Sequence, residues 1–196
     1  PASVLLPGFV NVHSHLELSI LRGYLEGLSF WSWIRELTRT KYEILTYDDI
    51  LVSALLGVIE AIQAGITTVG DAMDLGGTLE AALSTGIRGV LYQEVFSPRP
   101  EDANKALQTL KANLQERRAQ IARFPASSIL SRFIGLNSSD REATAAERKK
   151  RIRLGVSPHA PYTVSAPLFV AVHQFAKKEG LPVCIHVGES VAERQW

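Results

Sequence analysis

The strongest constraint on the fold is an alternation: short apolar runs rich in β-branched residues are each separated from the next by a longer segment, most of them helical in period. Repeated βα units around a parallel sheet require this pattern, because strands covered on both faces read as continuous apolar runs and crossover helices as amphipathic stretches. The runs are "GFVNVHSH" (8–15), "ITTVGDAM" (66–73), "IRGVLYQEVF" (87–96), "IRLGVSPHAP" (152–161) and "PVCIHVGE" (182–189). Helices are predicted over 48–65, 77–86, 101–124 and 166–181, with Asp48 or Asp49 able to cap the first and Gly65 able to end it.

Five parallel strands with right-handed crossovers suit either an open doubly wound sheet or part of a closed barrel. A doubly wound sheet needs a strand-order reversal and usually a Gly-rich phosphate loop. No G-x-G-x-x-G follows the first run. Polar residues instead recur at the C-terminal ends of the runs, where barrel enzymes place their chemistry. The expected fold is therefore α/β, an incomplete TIM (β/α)8 barrel carrying strands one to five. A whole barrel takes eight strands and ~250 residues, so residues 1–196 are expected to be one part of a larger domain.

At 196 residues, with 46% hydrophobic and 21% charged, the chain can bury one substantial core. Lys and Arg number 21 against 20 Asp and Glu, which leaves no field to recruit nucleic acid or an anionic membrane. A small-molecule partner fits better. The basic run "ERKKRIR" (147–153), which ends a polar stretch over 127–148, reads as a solvated helix end. Cys184 is the single cysteine, which excludes an internal disulfide and any zinc site needing two thiolates, so a reducing, cytoplasmic setting is expected. No stretch approaches the ~20 apolar residues of a membrane span, and no signal-peptide pattern opens the chain.

In a strand, residues i and i+2 share a face with Cα atoms ~6.6 Å apart, so His13 and His15 can converge on one ion with bonds of ~2.0–2.1 Å. Alone, H-x-H is weak evidence. His186 ends another run and is followed three residues later by Glu189, and three imidazoles with a nearby carboxylate make an open hydrolytic site. The plainer alternatives are a buried His186 bonded to a carbonyl and a Glu189 that favours a helix N-terminus.

His159, between two prolines at the end of the fourth run, is a candidate substrate contact or a support for one. His173 lies within a helical pattern and is read as core or surface. Glu17, Arg22, Trp31 and Trp33 fall in the long connection after the first run, where a barrel builds loops over its mouth, and the tryptophans either stack on a flat ring or pack the loop down. Asp71 and Glu94 end the second and third runs, and periodicity leaves open which of them faces a cavity.

Together, "PGFVNVHSHLELS", "AGITTVGDAM", "GVSPHAPYTVS" and "IHVGES" resemble the amidohydrolase superfamily, in its aminohydrolase branch of guanine, cytosine, adenosine-type and triazine deaminases or chlorohydrolases. "HLELS" with "YQEVF" is most similar to aminofutalosine deaminase-like members. The resemblance implies that His13, His15 and His186 are metal ligands for one divalent ion, usually zinc or iron. It further implies that Glu189 is the proton shuttle and that His159 contacts substrate. Glu17 and Glu94 are further candidate substrate contacts.

The implied reaction is water attack on a ring carbon of a purine- or pyrimidine-like heterocycle with loss of ammonia. Loss of chloride, opening of a cyclic amide, or an inactive fragment are the alternatives. The resemblance places another histidine on strand six, an aspartate on strand eight and a flanking β-sandwich outside these residues. Its complete parent is open to homo-oligomerisation. The isolated 196-residue polypeptide is expected to aggregate or remain partly folded. The zinc deaminases built on P-C-x-x-C are set aside, because one cysteine cannot build their site.

Overall fold

A computed structural model describes residues 3–124, 147 and 149–195. Four parallel strands form its sheet: β1 (Phe9–Ser14), β2 (Ile66–Met73), β3 (Arg88–Val95) and β4 (Ile152–Pro158). Their spatial order, β1-β2-β3-β4, follows the chain without reversal. That order removes the doubly wound alternative, which needs a switch point. Helices α1 (Phe30–Arg39), α2 (Tyr47–Gln63), α3 (Gly77–Thr85), α4 (Ala103–Arg123) and α5 (Ala166–Glu179) fill the connections and follow β4.

The core lies between the sheet and its helices. Val69, Leu91 and Val156 from the strands meet Leu51, Ala54 and Val58 of α2, Leu79 and Leu83 of α3, Leu110 and Leu114 of α4, and Leu168 and Val172 of α5. Gly70 lets β1 and β2 approach: a Cβ there would lie 2.4 Å from the carbonyl oxygen of Val12. The edges are less covered, with Phe9, Val10 and Val12 of β1 exposed at 59, 62 and 77%.

Local signals explain the helix ends. Thr46, rather than Asp48 or Asp49, caps α2: its hydroxyl accepts from Asp49 N at 3.2 Å and Asp49 Oδ2 accepts from Thr46 N at 2.9 Å. Asp49 is thus the reciprocal partner of a capping box. Gly65 follows the helix with φ +79°, a conformation that stops helices at little cost only for glycine.

Three expectations change. Residues 182–189 do not form a fifth strand; one bridge, Val156 with Val183, is all that is regular. Val156 N donates to Pro182 O and Cys184 N to Val156 O, but the next rung would need an N–H from Pro158, which has none. The long connection after β1 is also more ordered than expected, holding a 3-10 turn (Leu16–Leu21), α1 and a π turn (Thr40–Ile44). Helix α1 buries no residue fully, because its apolar stripe of Trp33, Ile34 and Leu37 lines the cavity described below rather than the core. Finally, α4 begins at Ala103, after a 3-10 turn over Pro100–Asp102. The polar stretch 127–148 lies outside the described residues apart from Glu147. Among the described residues no helix is long and apolar enough to cross a membrane.

Candidate metal centre

The C-terminal tip of β1 is tied to β2 before any ligand is considered. Asp71, fully buried, accepts from Leu16 N at 2.8 Å and from the Ser14 hydroxyl at 2.9 Å, which fixes the backbone on both sides of His15. Burial pushes the Asp71 carboxyl up to about 7, with the Leu16 N–H as the leading opposing effect. Asp71 therefore serves the strand, and it does not line the cavity described below.

His13 and His15 then meet His186, and one nitrogen from each of the three lies within 4.8 Å of the others. His15 Nε2 and His186 Nε2 are 3.0 Å apart, close to the ~3.3 Å separating two ligands of a tetrahedral ion with bonds of ~2.0–2.1 Å. His186 Nδ1 lies 2.9 Å from the carbonyl oxygen of His159, which can only accept, so Nδ1 carries the proton and Nε2 presents its lone pair. Burial first, then the neighbouring His186 and His13, holds His15 down to about 3, so it is neutral and able to ligate at pH 7. The donor set fits a divalent ion.

His13 and His15 open onto a cavity of about 430 Å³. Trp33, Ile34 and Leu37 of α1 and Phe96 beyond β3 give it flat apolar walls, while Glu189, His159, Glu94 and Lys41 supply polar groups. Glu189 receives a short hydrogen bond from the Tyr162 hydroxyl. Tyr162 is itself buried and is met edge-on by Phe30 and Trp31, at 5.4 and 5.9 Å between ring centres. The turn that follows is capped by Ser190, whose Oγ accepts from Glu193 N at 3.3 Å, while the backbone N–H of Glu189 donates to Glu193 Oε2 at 2.7 Å.

His159 stands 4.6 Å from His186, ring centre to ring centre. Thr163 donates its hydroxyl to Ala160 O at 3.2 Å and so accepts from His159 Nδ1 at 2.7 Å. Nε2 of His159 is left as an acceptor, 4.0 Å from Glu94 Oε1. Burial lowers His159 to about 4. Glu94 is 5% exposed, and its Oε1 has no hydrogen-bond partner. Burial pushes its carboxyl up to about 8, against the pull of Lys41.

The structure thus gathers His13, His15, His186, His159, Glu94 and Glu189 at one mouth. Glu17, expected as a substrate contact, stands apart from that mouth. Its buried carboxylate accepts from the N–H groups of Asp74, Leu75, Gly76 and Thr78 at 2.6–3.4 Å, tying the start of α3 to the turn after β1. No oxygen remains to face the cavity. Arg22 pairs with Glu60 at 2.6 Å on the surface, and His173 is exposed on α5.

Lys41 and Tyr162 escaped sequence reasoning. A signal for Lys41 existed: Trp33, Leu37 and Lys41 recur at i, i+4 and i+8, so the stripe of α1, carried into the π turn, leads to the lysine.

The amidohydrolase family model matches residues 4–196. A 5-methylthioadenosine/S-adenosylhomocysteine deaminase of Thermococcus onnurineus is 31% identical over 97% of this chain and 39% of its own length. An adenosine deaminase of Xanthomonas campestris, solved with bound zinc, superposes with a TM-score of 0.70 at 20% identity, over 95% of this chain and 37% of that one. A Helicobacter pylori aminofutalosine deaminase in complex with methylthio-coformycin gives 0.65 at 18% identity, over 97% and 39%. The chain spans about two fifths of the length of these relatives, and its sheet is the corresponding part of their TIM barrels. With the histidine cluster beside the tip of β1 and a family match over nearly every residue, the chain belongs to the amidohydrolase family.

Proposed function

We propose that the intact gene product is a metal-dependent hydrolase that removes the amino group from a carbon of a purine- or pyrimidine-like ring. His13, His15 and His186 hold the ion, zinc in this reading, Glu189 moves the proton, and His159 and Glu94 contact the substrate. The observation that carries it is the convergence of three imidazoles from distant segments beside Glu189, in a cavity with flat apolar walls. The deaminases among its relatives support the same reading.

Held by His13, His15 and His186, a divalent ion would supply Lewis acidity that makes water a nucleophile near neutral pH. Glu189, held by Tyr162, accepts the proton of the attacking water and passes it to the departing nitrogen. A carbon–oxygen bond forms, the carbon–nitrogen bond breaks, and ammonia leaves. Trp33 and Phe96 keep the ring flat against the site and limit water around it. The resemblance assigns a further histidine and an aspartate to strands beyond these residues, and the whole barrel is proposed as the working unit. Balanced charge and the lone Cys184 support a reducing, cytoplasmic setting.

The test is metal content and ammonia release from the intact gene product. His13→Ala is expected to lose metal, and Glu189→Gln to keep metal while losing turnover by about 100-fold or more. Undiminished turnover in Glu189→Gln would remove the proton-shuttle role.

A further inference from the structure

The cavity has a second polar end that no step above uses. Lys41, brought there by the π turn at Thr40–Ile44, is 8% exposed, and its Nζ lies 3.1 Å from Asp74 Oδ2. The Tyr42 hydroxyl donates to the same Asp74 oxygen, and the Asp74 N–H is held by Glu17 at 3.1 Å. The lysine is therefore anchored by a fixed carboxylate. An ammonium has three donors, and the structure gives one ionic partner to this one. In the wall of the same cavity, Glu94 is nearly fully buried with Oε1 unpartnered. One atom from each of Glu94, His159 and His186 lies within 4.8 Å of the others, so Glu94 stands directly beside the histidine triad.

We propose that Lys41 and Glu94 read a lactam edge on the substrate, with Lys41 donating to a ring carbonyl and Glu94 accepting from the adjacent ring N–H. This rests on the deaminase reading and narrows it to amino-heterocycles that carry an oxo group. A buried ammonium with N–H groups to spare and a buried acceptor without a partner discriminate most strongly against a ligand that leaves both unpaired. A lactam offers the complementary pair on neighbouring atoms. Glu94 keeps an acceptor oxygen whether or not it is ionised, so the pairing holds in both states. The apolar walls of Trp33, Leu37 and Phe96 cover ring faces and leave this edge as the polar reader.

The experiment uses the intact gene product and matched ligands that differ in the oxo group: guanine against 2-aminopurine, and isocytosine against 2-aminopyrimidine. Binding is measured by calorimetry, which needs no turnover. The lactams are expected to bind about tenfold or more tighter than their partners, the yield of one charge-assisted hydrogen bond. Lys41→Met is expected to bring each ratio near one, and Lys41→Arg to restore part of it. Glu94→Leu is expected to cost more of the ratio than Glu94→Gln, which keeps an acceptor. Equal affinities in the unaltered protein, no detectable lactam binding, or a ratio that Lys41→Met leaves intact would each overturn the assignment. Ammonia release from any amino-heterocycle is scored separately and bears on the deaminase reading alone.

Discussion

The phenol of Tyr162 donates to the carboxylate of Glu189, a residue 27 positions further along the chain. Burial and the Glu189 carboxylate both push the Tyr162 phenol up, so it remains a donor throughout the working pH range. The contact joins the loop after β4 to the segment that carries His186 and holds the proposed proton carrier beside the proposed metal ligands.

Tyr162→Phe keeps the ring among Phe30, Trp31 and His159 and removes only the hydroxyl. Turnover is expected to fall about tenfold, the yield of one hydrogen bond to a charged group, with KM and metal content little changed. Steady-state kinetics and elemental analysis check this. A rise in KM at constant kcat would make Tyr162 a wall of the cavity and nothing more.

Glu94 gives a pH-dependent stability of definite sign. Its carboxyl sits at about 8 in the folded chain against an ordinary 4.5, so the folded state holds a proton that the unfolded state releases between those values. Its share of stability is present below pH 4.5 and is lost as pH rises toward 8. Glu94→Gln should therefore melt higher than the unaltered protein at pH 8, with the gap closing by pH 5, in thermal scans across that range. A gap that widens toward acid would contradict the buried, strained carboxyl.

Glu17→Ala leaves the N–H groups at the start of α3 without their acceptor. A loss of about 3 kcal/mol is expected, because buried donors lose a charged partner. The denaturation midpoint should fall while the KM of folded enzyme stays near its original value. An unchanged midpoint with a raised KM would return Glu17 to the substrate.

The polypeptide of these 196 residues, produced alone, is expected to self-associate, since Phe9, Val10 and Val12 expose an apolar strand edge. Sedimentation velocity decides this. A single monomeric species with a sharp thermal transition would show that the edge is tolerated.

Much of this arrangement is legible in the sequence. The strands announce themselves because burial on both faces leaves runs of Val, Ile and Leu, and His13 and His15 share a face because a strand repeats every two residues. His159 and His186 follow from their place at run ends. The contacts of Glu17 were not legible, because an acidic residue two beyond His15 looks the same whether it meets a substrate or four peptide N–H groups; only the path of the turn at Asp74–Thr78 separates the two. Lys41 stayed hidden because a lysine that continues an apolar stripe reads as a solvated end with its charge in water. The fifth strand failed for a covalent reason, the missing hydrogen of Pro158.

That missing hydrogen reaches further than the ladder it ends. With no rung to make at Pro158, the carbonyl of the next residue, His159, turns to the neighbouring segment and takes two hydrogens from His186: the peptide N–H at 2.8 Å and ring Nδ1 at 2.9 Å. One oxygen thus dictates both where the His186 backbone runs and which ring nitrogen is bare. A proline in one segment thereby writes the tautomer of a histidine in the next, and a residue with an N–H at position 158 would let the two segments zip onward and erase that instruction.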